Sequence, residues 1–391
     1  MRILLVGDAN SIFFVHYVKA LKKQMDVEVD VYSPIPDKHN YSELPYDRVF
    51  FDDYELKKCS NIRFLSTFYN PYVLRLHFGK FLKHNGIKYD IMHFHWIVPE
   101  WVICPKAFRK YADKICVTLW GGEFVKLKLL KSHELYLRKL KNLLKNTDAL
   151  IGGNRSDAFY QRYPFAKDIV RYGLFGSSII DILNEMPAGK EECKKIFGAD
   201  SEKITVMPGY SGKALHNQDK ILKEIINHAD FEQVIDKIHF LFPMTRGSDE
   251  RFLKHLEEIL NENHCHYTMI KGIYMSDEAV AQLRKATDVM FQLSDFDGLS
   301  SSIKESLCAG SVLISGNWFK AYGKLKDWGF KYLEVESLKE GIEKFYEVVG
   351  NLEYYKDLTK ENTSVGVSQF SWNECIKDWV AIYKDLTNDR S

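Results

Sequence analysis

The chain has 391 residues, 46% hydrophobic and 14% aromatic, which excludes a disordered chain and is too long for one ordinary core; two domains of roughly 170–200 residues are expected. The formal charge of +1 hides a split: residues 1–175 hold 28 Lys and Arg against 18 Asp and Glu, whereas residues 176–391 hold 26 against 35. The basic first half points to an anionic contact, nucleic acid or an anionic membrane surface, and seven scattered cysteines with no C-x-x-C pair argue against a disulfide scaffold and fit a reducing cytoplasm.

In chain order, the first half alternates short β-branched and aromatic runs with helical patterns. Strands are predicted at residues 2–6, 27–32, 48–51, 91–95, 115–120, 149–151 and 169–171, and helices at 13–23, 72–84 and 129–144. The opening MRILLVGD is too short for a secretory core and reads as the first strand. No stretch approaches the ~20 apolar residues that span a bilayer. Residues 178–200 are helical but break the rhythm, contain Pro187, Gly189 and Gly198, and read as the linker between domains. A second set follows, with strands at 204–207, 238–244, 267–270, 289–293, 312–315 and 332–335, and helices at 215–227, 250–261, 276–286 and 300–309. The tail from Ser371 is an amphipathic helix carrying Trp372, Ile376, Trp379 and Tyr383, with Glu374 completing a capping box. The expected division is 1–177, a linker at 178–200, 201–368, and a C-terminal helix at 369–391 that crosses back. The fold class is α/β, two Rossmann-like doubly wound domains whose ligands bind in the cleft at the carboxyl ends of the strands.

Three segments of the first half carry chemistry. Gly7-Asp8-Ala9-Asn10-Ser11 joins the first strand to the first helix, and it lacks the third glycine of a dinucleotide fingerprint. His95 closes DIMHFHW at a strand's carboxyl end; it is either a functional group or a packed core histidine. Residues 126–145, KLKLLKSHELYLRKLKNLLK, form a basic amphipathic helix with Leu130, Leu137 and Leu144 in one row and Leu129, Tyr136, Leu140 and Leu143 beside it. Those leucines either pack on the sheet or leave the helix free to dock on an anionic membrane.

In the second half, residues 207–217 read MPGYSGKALHN. A strand runs into Gly209-Tyr210-Ser211-Gly212 and a helix follows, a geometry that favours a phosphate, with Lys213 adding a full charge; the plainer reading is a simple connection. Residues 291–316 read FQLSDFDGLSSSIKESLCAGSVLISG. Asp297 precedes a helix that opens at Ser300-Ser301-Ser302, and Glu305 lies on its second turn, seven residues intervening. A carboxylate there can accept from both hydroxyls of a ribose, and the serine amides can hold a phosphate or a sugar hydroxyl. Asp295-Phe296-Asp297 resembles an Asp-x-Asp metal motif, but two nucleotide-binding domains argue against it and no catalytic metal is expected.

With these residues in view, the chain resembles the GT-B glycosyltransferases, most closely glycosyltransferase family 4. DGLSSSIKESLCAGSVLI is similar to that family's paired-glutamate motif, with Asp297 in place of the first glutamate. QFSWNECIKDWVAIYKDL resembles its Phe-Ser-Trp helix, and DIMHFHW and VTLWGGEF stand where two further family segments do. The loop with Gly209 and His216 also resembles the lipid-intermediate 4-acetamido-4,6-dideoxygalactose transferases.

The resemblance implies roles. Glu305 is to bind the donor ribose and Asp297 to lie by the donor sugar. Lys213 and Arg246 stand in for the family's pyrophosphate-binding cations. Gly209, Ser211, Gly212, Tyr274, Ser300, Ser301 and Ser302 complete the nucleotide-sugar set. Asp8, Asn10, Ser11 and Trp120 belong to the acceptor side, and Trp120 replaces a family histidine. Asp297, Glu123 and His95 are the catalytic candidates, Glu123 as general base if the reaction inverts. The expected activity is metal-independent, retaining hexosyl transfer from a nucleotide-diphosphate sugar to a glycan or polyprenyl-diphosphate-linked acceptor, in cell-surface polysaccharide synthesis, with no nucleic-acid partner. The alternatives are a GT-B-fold sugar-nucleotide epimerase and a non-catalytic sugar-nucleotide-binding partner. The expected location is the cytoplasm, on the inner face of the cell membrane.

Overall fold

The computed structural model describes residues 1–34, 44–52, 63–95, 105–119, 133–152, 157–245, 247–272, 275–295, 297, 299–319 and 322–388. The side chains of 63–71, 105–107, 133–136 and 157–158 are outside that description. The chain divides into two compact units, Met1–Gly176 with Trp372–Ser391, and Ser177–Ser371.

The first unit is built on a seven-stranded parallel sheet: β1 (Arg2–Val6), β2 (Glu28–Ser33), β3 (Arg48–Phe51), β4 (Tyr89–His95), β5 (Ala112–Thr118), β6 (Ala149–Gly152) and β7 (Val170–Tyr172), in the order β3-β2-β1-β4-β5-β6-β7. Parallel strands are covered on both faces, which is why they read as continuous apolar runs. On one face, helix α1 (Ile12–Gln24) and the C-terminal helix (Trp372–Asn388) pack on Ile3, Leu5, Val29, Val31 and Ile91. On the other, α2 (Arg63–Asn85) and α3 (His133–Lys145) pack on Leu4, Val6, Met92, Phe94 and Val117.

The second unit repeats the plan with six parallel strands: β8 (Ile204–Met207), β9 (Ile238–Met244), β10 (Tyr267–Lys271), β11 (Val289–Gln292), β12 (Val312–Gly316) and β13 (Leu333–Val335), in the order β10-β9-β8-β11-β12-β13. Residues 178–200, read as a helical crossing, carry two helices, α4 (Ser178–Glu185) and α5 (Lys190–Ile196), and group with this unit. The reason lies in their side chains. Ile179, Ile180, Leu183 and Cys193 are buried, and Lys190 and Lys194 reach Asp288 at 3.0 and 2.7 Å. Lys356 joins them at 3.2 Å. Burial pushes the Asp288 carboxyl up, but the three lysines outweigh it and hold it well below the usual carboxylate range.

Further helices are α6 (Gln218–Ile226), α7 (Glu250–Glu262), α8 (Asp277–Ala286) and α9 (Ser301–Cys308). Ser276 caps α8 by accepting from the Ala279 amide at 3.2 Å. In each sheet the strand order reverses at one point, between β1 and β4 and between β8 and β11. Open α/β sheets bind ligands outside the strand ends at such a point. Among the described residues no helix is long and apolar enough to cross a membrane.

Candidate functional site

The predicted glycine loop and the predicted acidic loop meet at the switch point of the second sheet. After β8 the chain turns through Gly209–Gly212 into a short 3-10 turn, Ala214–His216. A Cβ at Gly209 would lie 2.8 Å from His216 Cβ, and one at Gly212 would lie 2.7 Å from Ser248 Cβ and 3.0 Å from its backbone, so both positions need the missing side chain. The loop closes on itself: Gln218 Nε2 donates to Ser211 O at 2.8 Å, Ser211 Oγ lies 2.9 Å from His216 Nε2, and the Tyr210 ring meets His216 edge-on at 4.3 Å. Lys213 is exposed; its stem passes Gly247, whose φ of +73° and bare Cα make room for it.

Across the switch point, Gln292 ends β11 fully buried and donates from Nε2 to Asp297 Oδ2 at 2.6 Å. Tyr322 OH donates to the same oxygen at 2.5 Å. Asn217, left-handed at φ 58°, ties the two loops together by donating from Nδ2 to Leu293 O at 2.9 Å and to Asp295 Oδ1 at 3.0 Å. Trp318 Nε1 donates to Ser294 O at 2.9 Å. Leu299 adopts φ 65°, a conformation costly for a branched side chain and typical of loops over-determined by their surroundings. Burial raises the Tyr210 phenol to about 12 and the Tyr322 phenol well beyond its usual value, so both remain hydroxyl donors beside Asp297. Burial pushes the His216 ring down to about 4, leaving it neutral.

Helix α9 opens at Ser300-Ser301-Ser302, as expected. Glu305, however, does not face open solvent. It is 6% exposed and its two oxygens have donors, Arg284 Nε at 3.3 Å on Oε2 and Ser177 Oγ at 3.1 Å on Oε1. The physical reason is Arg284, itself 5% exposed at the end of α8, which needs a counter-charge. Arg284 Nη2 also donates to Ser302 Oγ at 2.8 Å. A carboxylate offers about four lone-pair sites, so these two contacts orient Glu305 without exhausting it.

In the first unit, Asp8, Asn10 and Ser11 sit half-exposed at the β1–α1 turn, at the switch point of that sheet. Asp8 Oδ1 accepts from the Asn10 amide at 3.0 Å. His95 is corrected by the structure. It is 2% exposed, packed among His93, Phe14, Phe175 and Trp379, and burial lowers its pKa to about 3. It is a core residue with no surface on which to act as a base. The basic helix is likewise resolved for its described part: Leu140, Leu143 and Leu144 are in the core, so that leucine face covers the sheet. Trp120, Glu123, Arg246 and Tyr274 lie outside the described residues. Among the described residues no three His, Cys, Asp or Glu side chains converge as metal ligands.

Sequence reasoning missed Gln292, Tyr322, Arg284 and Ser177. Gln292 and Tyr322 fix Asp297; Arg284 and Ser177 fix Glu305. A buried glutamine ending an otherwise apolar strand was the one signal open to reading.

Comparison with known proteins agrees with this architecture. Residues 2–154 match a family model described as Glycosyl transferase 4-like. Solved structures share the fold over the whole length at low identity. Sucrose-phosphate synthase from Thermosynechococcus elongatus is 14% identical, with 100% of each chain covered and a TM-score of 0.70. Anabaena Alr3699/HepE in complex with UDP is 13% identical, with 98% of this chain and 100% of that chain covered and a TM-score of 0.68. A glycosyltransferase from Rickettsia africae ESF-5 is 15% identical, with 100% and 99% covered and a TM-score of 0.66. No curated protein matches the sequence. The fold is the GT-B fold, two Rossmann-like units, and the resemblance to glycosyltransferases of that type holds.

Proposed function

We propose that the chain transfers a sugar from a nucleotide-diphosphate sugar to a glycan or polyprenyl-diphosphate-linked acceptor, as a step in cell-surface polysaccharide synthesis. The observation that carries this reading is the joining of the glycine loop and the Asp297 loop at the switch point of the second sheet, with Asn217 bonded to both Leu293 and Asp295. The second unit holds the donor there. Lys213 and Arg246 meet the charge that grows on the departing diphosphate, Glu305 accepts from the ribose in the orientation set by Arg284 and Ser177, and Asp297 faces the donor sugar. The bond from the anomeric carbon to the diphosphate oxygen breaks, a bond to the acceptor oxygen forms, and the acceptor proton passes to the leaving phosphate. The anomeric centre is retained and no metal is required. One fold neighbour, Anabaena Alr3699/HepE, was solved with UDP and with UDP-glucose, which supports a sugar nucleotide as donor.

The basic first half supports an anionic acceptor presented at the inner face of the cell membrane, with Asp8, Asn10, Ser11 and Trp120 on the acceptor side. With the leucines of α3 in the core, that contact is electrostatic, through exposed Arg138, Lys141 and Lys145.

A thermal-shift panel of UDP-, GDP- and dTDP-sugars tests the donor, because a ligand of the folded state raises the melting temperature by mass action. A clear rise with one nucleotide class, and turnover of that labelled sugar nucleotide with a membrane extract, is the expected result. No rise with any of them would end the reading. Binding without turnover would turn it towards a sugar-nucleotide-binding partner.

A further inference from the structure

His216 Nδ1 and Gln292 Oε1 are among the buried polar atoms of the site that have no hydrogen-bond partner, with Gln218 Oε1 and Ser300 Oγ. The His216 and Gln292 side chains are 2% and 0% exposed. Each of these two atoms is the unspent end of a side chain whose other end is committed. Gln292 donates from Nε2 to Asp297 Oδ2 at 2.6 Å, and His216 Nε2 lies 2.9 Å from Ser211 Oγ. Gln292 also acts on the His216 ring. Pairing Gln292 Oε1 with a proton on His216 Nδ1 satisfies both, whereas leaving both unmet would cost each its desolvation.

That pairing fixes a direction. An amide oxygen only accepts, so the histidine nitrogen facing it must carry the proton. The ring is neutral, and its second nitrogen is then an acceptor. The Ser211 hydroxyl therefore gives its proton to Nε2, and its oxygen keeps lone pairs for a ligand. At neutral pH the oxygens of a diphosphate have essentially no proton to offer such an oxygen, whereas the hydroxyls of a sugar do.

We propose that Asp297, Gln292, His216 and Ser211 form one directional hydrogen-bond relay that makes Ser211 Oγ an acceptor, placed to receive a hydroxyl of the donor sugar rather than to bind phosphate. The inference rests on the sugar-nucleotide reading above and adds to it the group that Ser211 recognises. Gln292 and His216 are positioning residues in this relay; Ser211 is the residue that touches the ligand.

Two measurements test it. The first is the tautomer of His216, read from nitrogen-15 shifts in histidine-labelled protein and assigned with His216→Gln. The relay requires the proton on Nδ1, and Gln292→Met should move it. A proton on Nε2 in the parent chain overturns the relay, whatever the ligand. The second compares binding of a nucleoside diphosphate with that of its sugar conjugate, using UDP, GDP and dTDP and their glucose, mannose and rhamnose forms. Ser211→Ala should weaken the sugar conjugate about three- to tenfold, the effect of one neutral hydrogen bond, and leave the bare diphosphate within about twofold. Equal weakening of both, or of neither, overturns the assignment while the donor reading stands. A parent chain that binds none of these ligands overturns the donor reading and this inference with it.

Discussion

Arg284 Nε lies 3.3 Å from Glu305 Oε2, and both side chains are more than nine-tenths buried. The pair links the end of α8 to the second turn of α9, and Glu305 Oε1 continues the link to Ser177 Oγ at 3.1 Å. Removing one partner of such a pair leaves a buried charge without its counter-ion, which costs about 3–5 kcal/mol. Glu305→Ala is therefore expected to lower the unfolding free energy of the second unit by that amount, measured by urea denaturation. Arg284→Met combined with Glu305→Leu should recover most of it, since two apolar side chains leave no uncompensated charge. A double variant as unstable as Glu305→Ala would mean that the pair is not what holds these helices. For binding studies Glu305→Gln is the cleaner probe, because it keeps the volume and one accepting oxygen.

Asp297 Oδ2 takes hydrogen bonds from both Gln292 and Tyr322, which orient the carboxylate. Asp297→Asn keeps the shape and removes the charge. In steady-state kinetics with the donor found in the panel, it should lower kcat by about 10²–10³, the range for losing an electrostatic group at a reacting centre, with diphosphate binding within about threefold. Tyr322→Phe removes one hydrogen bond to a charged acceptor, about 1.5–3 kcal/mol. It should lower kcat/KM by roughly tenfold or more without preventing folding. Unchanged kinetics in both variants would take Asp297 out of the reaction.

The sheets were legible because parallel strands, buried on both faces, appear as apolar runs between glycine, proline and charge. β1, β3, β8 and β9 fall on the residues expected, and the glycine loop and the Asp297 loop follow from where β8 and β11 stop. What could not be read is which side chains far apart in sequence would share a buried charge. Arg284 stands 21 residues before Glu305, and Ser177 stands 128 before it; helical periodicity puts Glu305 on a face of α9 and is silent about what covers that face. The same limit explains His95, whose place at a strand end is shared by functional and core histidines. The 178–200 segment is helical as read, its proline and glycines punctuating α4 and α5; what could not be read is that Lys190 and Lys194 are drawn to an aspartate nearly a hundred residues on.

Among the described residues, four histidines are held neutral by burial. His93 is pushed well below 6.5, His95 to about 3, and His216 and His239 to about 4. An unfolded chain takes up protons at these sites near pH 6.5 and the folded chain does not, so the unfolded state binds more protons below that pH. Stability should be full above about pH 6.5 and fall as the pH drops towards the folded values. Each ring kept neutral at pH 5 contributes a loss of about 2 kcal/mol relative to pH 7. A melting temperature that drops by several degrees between pH 7 and pH 5, with a smaller drop in His95→Phe, is the expected outcome of calorimetry. A flat profile over that interval would show that these rings admit protons without unfolding.

The C-terminal helix is part of the first unit's core rather than an appendage. Trp379 is fully buried, donates from Nε1 to Leu174 O at 2.8 Å, and lies edge-on to Tyr17 and Phe175 at 5.0 Å. Tyr383, one turn on, lies with its hydroxyl 2.6 Å from both Tyr17 OH and His93 Nδ1, so the helix is held by packing and by a buried polar chain. Trp379→Ala removes the largest of these side chains and should cost about 3–5 kcal/mol. The loss should be confined to one unit, because every contact named here lies within 1–176 and 372–391. Hydrogen exchange read by mass spectrometry should accordingly show lost protection in β1, β4 and α1, with β8, β9 and β11 unchanged. Equal loss in both sheets would mean that the two units unfold as one.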